Sequence, residues 1–136
     1  MLKPDETRGW WTGYAGPLVI HAAKHKTLAG RDYNPELTLN LGLDWFDSLP
    51  YGSLIGVVDM GPAWLALHLA GTRDPEQRMW GDYRSRGDDG KRRYAFPFAC
   101  QRLFSTPVPW GGRQGFFEVP GEIIVQALAR KEGPCQ

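Results

Sequence analysis

The sequence predicts an α+β fold: a small β-barrel, closed or nearly so, with helices packed on its outside and a C-terminal helix. Three observations lead there. Segments with strand character outnumber helical ones. The 17 Gly and 11 Pro supply frequent corners and keep helices short. At 136 residues and 15.3 kDa the chain is read as one domain, 1–136. A domain of that size buries ~68–70% of its unfolded surface, enough for a single core. The apolar share of 42% and the charged share of 23% belong to the globular class. No apolar run is long enough to span a bilayer, and no apolar h-region follows the first Lys, so neither a membrane association nor a signal peptide is expected. Cys100 and Cys135 are too few for a disulfide framework or a zinc site. They are expected as free thiols in a cytoplasmic protein.

The elements follow in order. Gly9 to Gly16 reads as an aromatic-rich turn region carrying Trp10, Trp11 and Tyr14. Pro17 to Ala23 is a short apolar run with β-branched residues at its centre, a buried strand. Asn34-Pro35-Glu36 is a helix start, with Asn as cap and Pro in the first turn. Beyond it, Leu37, Leu39, Leu41, Leu43 and Trp45 alternate like a strand, while Leu37, Leu41, Trp45 and Leu49 share a helical stripe. The cap and the scarcity of β-branched residues favour helix. Pro50-Tyr51-Gly52 is a turn into the clearest strand, Ser53 to Met60. Pro62 to Leu69 is a short helix or an irregular apolar segment, and 73–93 is polar, Gly-interrupted and mostly loop. Tyr94 to Phe104 reads as a strand broken or bulged near Pro97. Pro107 to Gly112 is a rigid turn into a strand at Gly115 to Val119. Pro120 to Lys131 is the terminal helix, with Ile123, Ile124, Ala127 and Leu128 on one face.

The formal net charge of +1 hides a segregation. From Asp32 to Thr72 there is no Lys or Arg, and five acids fall there: Asp32, Glu36, Asp44, Asp47 and Asp59. The densest cationic run is 84–93, with Arg84, Arg86, Lys91, Arg92 and Arg93 against Asp88 and Asp89. A second zone holds Lys3, Arg8, Lys24, Lys26 and Arg31 with His21 and His25. If the two zones meet, they make a positive face attractive to phosphates. The competing reading is a solvated loop of mixed charge. Six Trp is high for a chain this short, and an exposed indole is a stacking platform for a base. No spacing among His25, His68 and the cysteines suits a metal, and no Gly-rich phosphate loop is present, so neither a metal nor a cofactor is expected.

Lys3-Pro4-Asp5-Glu6-Thr7-Arg8 resembles the end of the Gly-x-Lys-x-x-Glu-x-Arg signature of the ASCH domain, part of the PUA-like superfamily. Trp10 follows it as the family's Trp does. Tyr14-Ala15-Gly16-Pro17-Leu18-Val19-Ile20-His21-Ala22-Ala23 is similar to the family's Tyr-Arg-Gly-Pro-Leu-x-Ile-His-Ala strand, and Leu49 to Val58 to its second strand. Tyr94-Ala95-Phe96 and Pro107 to Phe117 resemble its closing strands. The matches run from residue 3 to about 119. Two departures stand out. Met1 takes the place of the signature Gly, and the family's preceding strand and helix have no counterpart, so either the barrel closes without that strand or the natural start lies upstream. Ala15 replaces the Arg before Gly-Pro, which removes a cation.

The resemblance implies a domain that binds RNA or a nucleotide, with DNA as a further partner class, in a cleft built from Lys3, Glu6, Arg8 and Trp10. Arg84, Arg86, Lys91, Arg92 and Arg93 would hold phosphates there. Arg8 offers a planar fork, Glu6 accepts from a base amino group, and Lys3 supplies a point charge. The competing structural reading is a salt-bridge cluster fastening the first element. Strand alternation gives Trp10 the parity of Glu6 and Arg8, leaving one of Trp10 and Trp11 for the core. His21 reads as a core histidine, or as an acid or base if it opens into the cleft. Some relatives are acetylcytidine amidohydrolases and at least one is reported to be a ribonuclease, so the alternative is a metal-independent hydrolase using Lys3 and Glu6. In the amidohydrolases a Thr nucleophile takes the position of Glu6, which leaves Glu6 only the part of general base. A third reading is a protein-interaction module using exposed Trp and the acidic 32–72 segment.

Overall fold

The computed structural model describes residues 3–24, 49–113 and 115–128. Their elements are β1 (Asp5–Arg8), β2 (Gly16–Ala22), β3 (Ser53–Met60), β4 (Trp64–Leu65), α1 (Ala66–Ala70), α2 (Pro75–Arg78), β5 (Tyr94–Pro109) and α3 (Gly121–Leu128). The fold is α+β. The strands form one five-stranded sheet in the order β1-β5-β3-β2, with β4 also pairing β5. The expected barrel is corrected: among the described residues this path is open and does not close. Closure needs full pairing at both edges, and four-residue β1 covers only Tyr94 to Pro97 of the sixteen-residue β5. No helix among the described residues is long and apolar enough to cross a membrane.

β3 falls where its run of apolar and β-branched residues predicts, and β2 begins one residue before the expected Pro17. β5 departs from expectation. It runs through Pro97, and Pro107 to Pro109 end the strand instead of forming a turn. A proline lacks a donor but keeps its acceptor: Gly61 N donates to Pro97 O at 2.7 Å, and Phe98 N donates to Pro4 O at 2.9 Å. The left-handed residue in the strand is Cys100, with φ 51°. Cys100, expected as a free thiol, is disulfide-bonded; the sequence's other cysteine, Cys135, lies outside the described residues. Gly115 to Val119 is not a strand. The 73–93 segment is less irregular than its composition suggests, because Asp74 and Gln77 close a capping box around Pro75 and form α2. The helix expected from Asn34 onward, residues 129–131 of the terminal helix, and the acids Asp32, Glu36, Asp44 and Asp47 lie outside the described residues.

The chain divides into two compact units. The first comprises Met1–Leu18 and Val58–Gln101. Its apolar centre is Ala66, Tyr83 and Ala95, with Leu69 and Ala70 packed against them. Small residues at 66 and 95 let α1 sit close to β5, and Ala66 N donates to Arg93 O at 3.0 Å. The second comprises Val19–Val57 and Arg102–Gln136. Leu54 and Phe104 are buried in it, at 0% and 5% exposure.

Candidate nucleic-acid interface

β1 is a short strand whose two faces have different chemistry. Its pairing with β5 places Asp5 opposite Pro97, Glu6 opposite Phe96, Thr7 opposite Ala95 and Arg8 opposite Tyr94. Directly paired residues project to the same face. Asp5 and Thr7 therefore point inward with Ala95, and both are buried. Glu6 and Arg8 share the other face with Phe96 and Tyr94.

The inward face is held by a polar network that no local pattern in the chain foretells. Asp5 is fully buried. Arg73 grips it with two parallel hydrogen bonds, Nε to Oδ2 and Nη2 to Oδ1, each 2.8 Å. The Tyr83 hydroxyl donates to Asp5 Oδ2 at 2.5 Å. The bond to Asp5 is the main cause that holds the Arg73 guanidinium above its ordinary range. Burial, and then the bond to Asp5, push the Tyr83 phenol well up from 10.0. Beside this network, Asp82 N donates to Thr7 Oγ1 at 2.9 Å. That approach needs a glycine at 81, since a Cβ there would lie 2.8 Å from Thr7 Cγ2.

The outward face carries the Lys-x-x-Glu-x-Arg residues. Lys3 Nζ donates to Glu6 Oε2 at 2.6 Å, and Arg8 Nη1 pairs with Glu6 Oε1. Arg8 Nη1 also donates to Thr7 O at 2.9 Å. Glu6 thus bridges two cations, which leaves one net positive charge on a cluster still open to solvent. The side chains of Lys3, Glu6 and Arg8 are 35%, 21% and 49% exposed. With one oxygen on Lys3 and the other on Arg8, Glu6 is placed to orient the two cations. The three side chains form a salt-bridge cluster at the surface, with these ion pairs joining residues of the 3–8 segment to one another.

The indole of Trp10 packs against Phe96, with ring centroids 5.5 Å apart and planes tilted by 41°. Phe96 is the cross-strand partner of Glu6, so Trp10 falls on the face its parity predicts. Both Trp10 and Trp11 are exposed, against the expectation that one would be core. β1 ends at Arg8, and strand alternation stops before it can turn Trp11 inward.

Gly9 brings the motif to the cationic loop. A Cβ on Gly9 would lie 3.6 Å from Arg93 Nη1, Lys91 Cβ and Asp89 Oδ2. The loop is a tight structure: Arg86 and Arg92 form an antiparallel bridge, and Gly87 N donates to Lys91 O at 2.9 Å. Its cations differ in availability. Arg84 is forked onto Asp82, with Nε to Oδ1 and Nη2 to Oδ2 both 2.8 Å, and its Nη1 meets Asp88 Oδ1 at 2.8 Å. These bonds raise Arg84 above its ordinary range. The same pairing, led by the Arg84 hydrogen bond, holds the Asp82 carboxyl below 3.8. Arg93 sits deeper, its Nε 3.5 Å from Asp82 Oδ2 and without a hydrogen-bond partner among the described residues. Arg86 donates to Gly90 O at 3.0 Å. Lys91 and Arg92 are exposed and have no ion pair among the described residues.

His21 belongs to the second unit. Its Nε2 is 2.8 Å from Trp110 O. A carbonyl only accepts, so Nε2 carries the proton and donates. Phe117 meets the ring edge-on at 5.9 Å, and a Cβ on Gly112 would overlap the imidazole. His21 is half-buried, and its ring is in contact with Trp110, Gly112 and Phe117. The same unit has an open hollow of about 300 Å³ lined by Pro107, Val108, Ile123 and Ala127 among others, none of them predicted site residues. Compared with known proteins, the chain matches no family model and no curated protein.

Proposed function

We propose that the first unit binds RNA or a nucleotide through its anionic phosphates and a base. The contact of Gly9 with the 89–93 loop carries this reading, because it puts Arg8 and exposed Trp10 beside the same cationic loop. The resemblance of residues 3–8 to the ASCH signature supports it independently. Lys91 and Arg92 are the phosphate ligands, since Arg84 is already committed to Asp82 and Asp88. Lys3 and Arg8, held by Glu6, present fixed donors to a base or sugar edge. Such binding is dominated by charge and falls with salt.

The test is anisotropy of a labelled RNA oligonucleotide over a series of salt concentrations. The parent should bind with a negative slope of log K on log salt. The Lys91→Ala/Arg92→Ala variant should bind more weakly, with a slope shallower by ~0.7 for each phosphate it no longer neutralises. A parent without measurable affinity, or a variant with the parent's slope, would refute the proposal.

A further inference from the structure

We infer that this patch takes a single-stranded polynucleotide, several bases at a time, and discriminates against both mononucleotides and duplexes. The inference rests on the nucleotide-binding reading above and names its substrate class. It comes from the 10–14 loop. Within five residues Trp10, Trp11 and Tyr14 are 44%, 63% and 42% exposed.

Each ring is steadied by the protein. Trp10 rests on Phe96. The six-membered ring of Trp11 lies against Gly13, where a Cβ would be 3.3 Å from its Cη2. The Tyr14 hydroxyl donates to Pro17 O at 2.5 Å. Rings already held in place lose little freedom when a base stacks on them. Gly9, next to Trp10 in the chain, lies against Lys91 and Arg93.

Three exposed rings in one short loop, beside a cationic loop, match one kind of ligand: a strand whose unstacked bases and phosphates are both within reach. A mononucleotide would stack on one ring only. A duplex keeps its base faces stacked inside and offers them to no aromatic side chain. Stacking and phosphate contacts are common to RNA and single-stranded DNA, so the shared chemistry is the polynucleotide, and the 2′-hydroxyl distinguishes the two sources.

The test uses the full chain and tryptophan fluorescence quenching, checked by competition. The probes are a single-stranded RNA of about eight nucleotides, within the site sizes of roughly 4–16 that such surfaces cover, the DNA of the same sequence, the RNA annealed to its complement, and ribonucleoside monophosphates. One stacked base corresponds to roughly a 5- to 150-fold change in affinity. The single-stranded RNA should bind tighter than any monophosphate and than the duplex by at least the lower end of that range. Trp11→Ala, at an exposed loop position, should lose a similar factor. Trp10→Phe keeps a ring on Phe96 and should lose less. Equal affinity for RNA and single-stranded DNA supports stacking with phosphate contacts alone; a preference for RNA supports the inference with added 2′-hydroxyl contacts. Monophosphates or duplex binding as tightly as the single strand would overturn the inference while leaving nucleotide binding standing. Unchanged affinity in folded Trp11→Ala would do the same. Failure of every probe to bind would remove the nucleotide-binding reading itself.

Discussion

Replacing Asp5 with asparagine tests what holds β1, and with it the whole outward face, in place. Asp5 accepts three hydrogen bonds: two from Arg73 and one from Tyr83. An asparagine of the same size keeps one acceptor oxygen. Placed at Oδ2, that oxygen retains the bonds from Arg73 Nε and the Tyr83 hydroxyl. The Oδ1 position becomes a donor facing Arg73 Nη2, so one charge-assisted bond disappears outright, a cost of about 1.5–3 kcal/mol. Arg73 also loses its counter-ion. Its side chain is 21% exposed and can recover some hydration, so the cost stays below the ~3–5 kcal/mol of a fully stranded buried charge. Asp5→Ala should reach that upper range, since the Tyr83 hydroxyl then loses its acceptor as well. The assay is urea unfolding followed by tryptophan fluorescence. At a slope near 2 kcal/mol per molar, a loss of about 2 kcal/mol lowers the midpoint by roughly 1 M. Arg73→Met and the double variant complete a cycle and should show coupling. A stability for Asp5→Asn within about 0.5 kcal/mol of the parent, or strict additivity in the cycle, would refute the argument.

Other outcomes follow from the same geometry. The Asp82 carboxyl is held below 3.8 in the folded chain, so its pairing with Arg84 contributes stability above that pH and loses it as pH falls through the folded value. The stability difference between parent and Arg84→Met should therefore shrink in acid, and carboxyl chemical shifts should place the Asp82 midpoint below the ordinary range. Tyr83 is displaced the other way. Its contribution is full below 10.0 and is lost as alkali carries pH through the raised folded value, so phenolate absorbance should show a component, absent in Tyr83→Phe, that resists ionisation until the chain unfolds. Gly112→Ala forces a methyl into the His21 ring and should cost ~1–3 kcal/mol, with moved imidazole resonances. Unchanged stability and spectra would mean that Gly112 is not seated on His21.

Much of the local structure is legible in the chain. A run of apolar and β-branched residues from Ser53 to Met60 specifies a strand, and Asp74-Pro75 with Gln77 contains a capping box that a reading dominated by glycine and charge passes over. The inward and outward alternation of β1 also follows from period two. Proline misleads: Pro97 and Pro107 look like breaks because their missing donors are visible, while the carbonyl of Pro97, which helps keep β5 in place, finds its partner Gly61 only through the fold.

Read alone, the chain specifies which residue types alternate along each short segment, where most turns fall, and that cations cluster at 84–93. Folding settles which of those charges are neutralised and which stay open. Asp5 meets Arg73 and Tyr83 across 68 and 78 residues, and His21 meets Trp110 across 89. Glu6 bridges Lys3 and Arg8, Asp82 claims Arg84, and Lys91 and Arg92 keep their charge exposed. Electrostatic and hydrogen-bond energies depend on distances of a few ångströms and on burial, and both are set by which distant segments the sheet brings side by side.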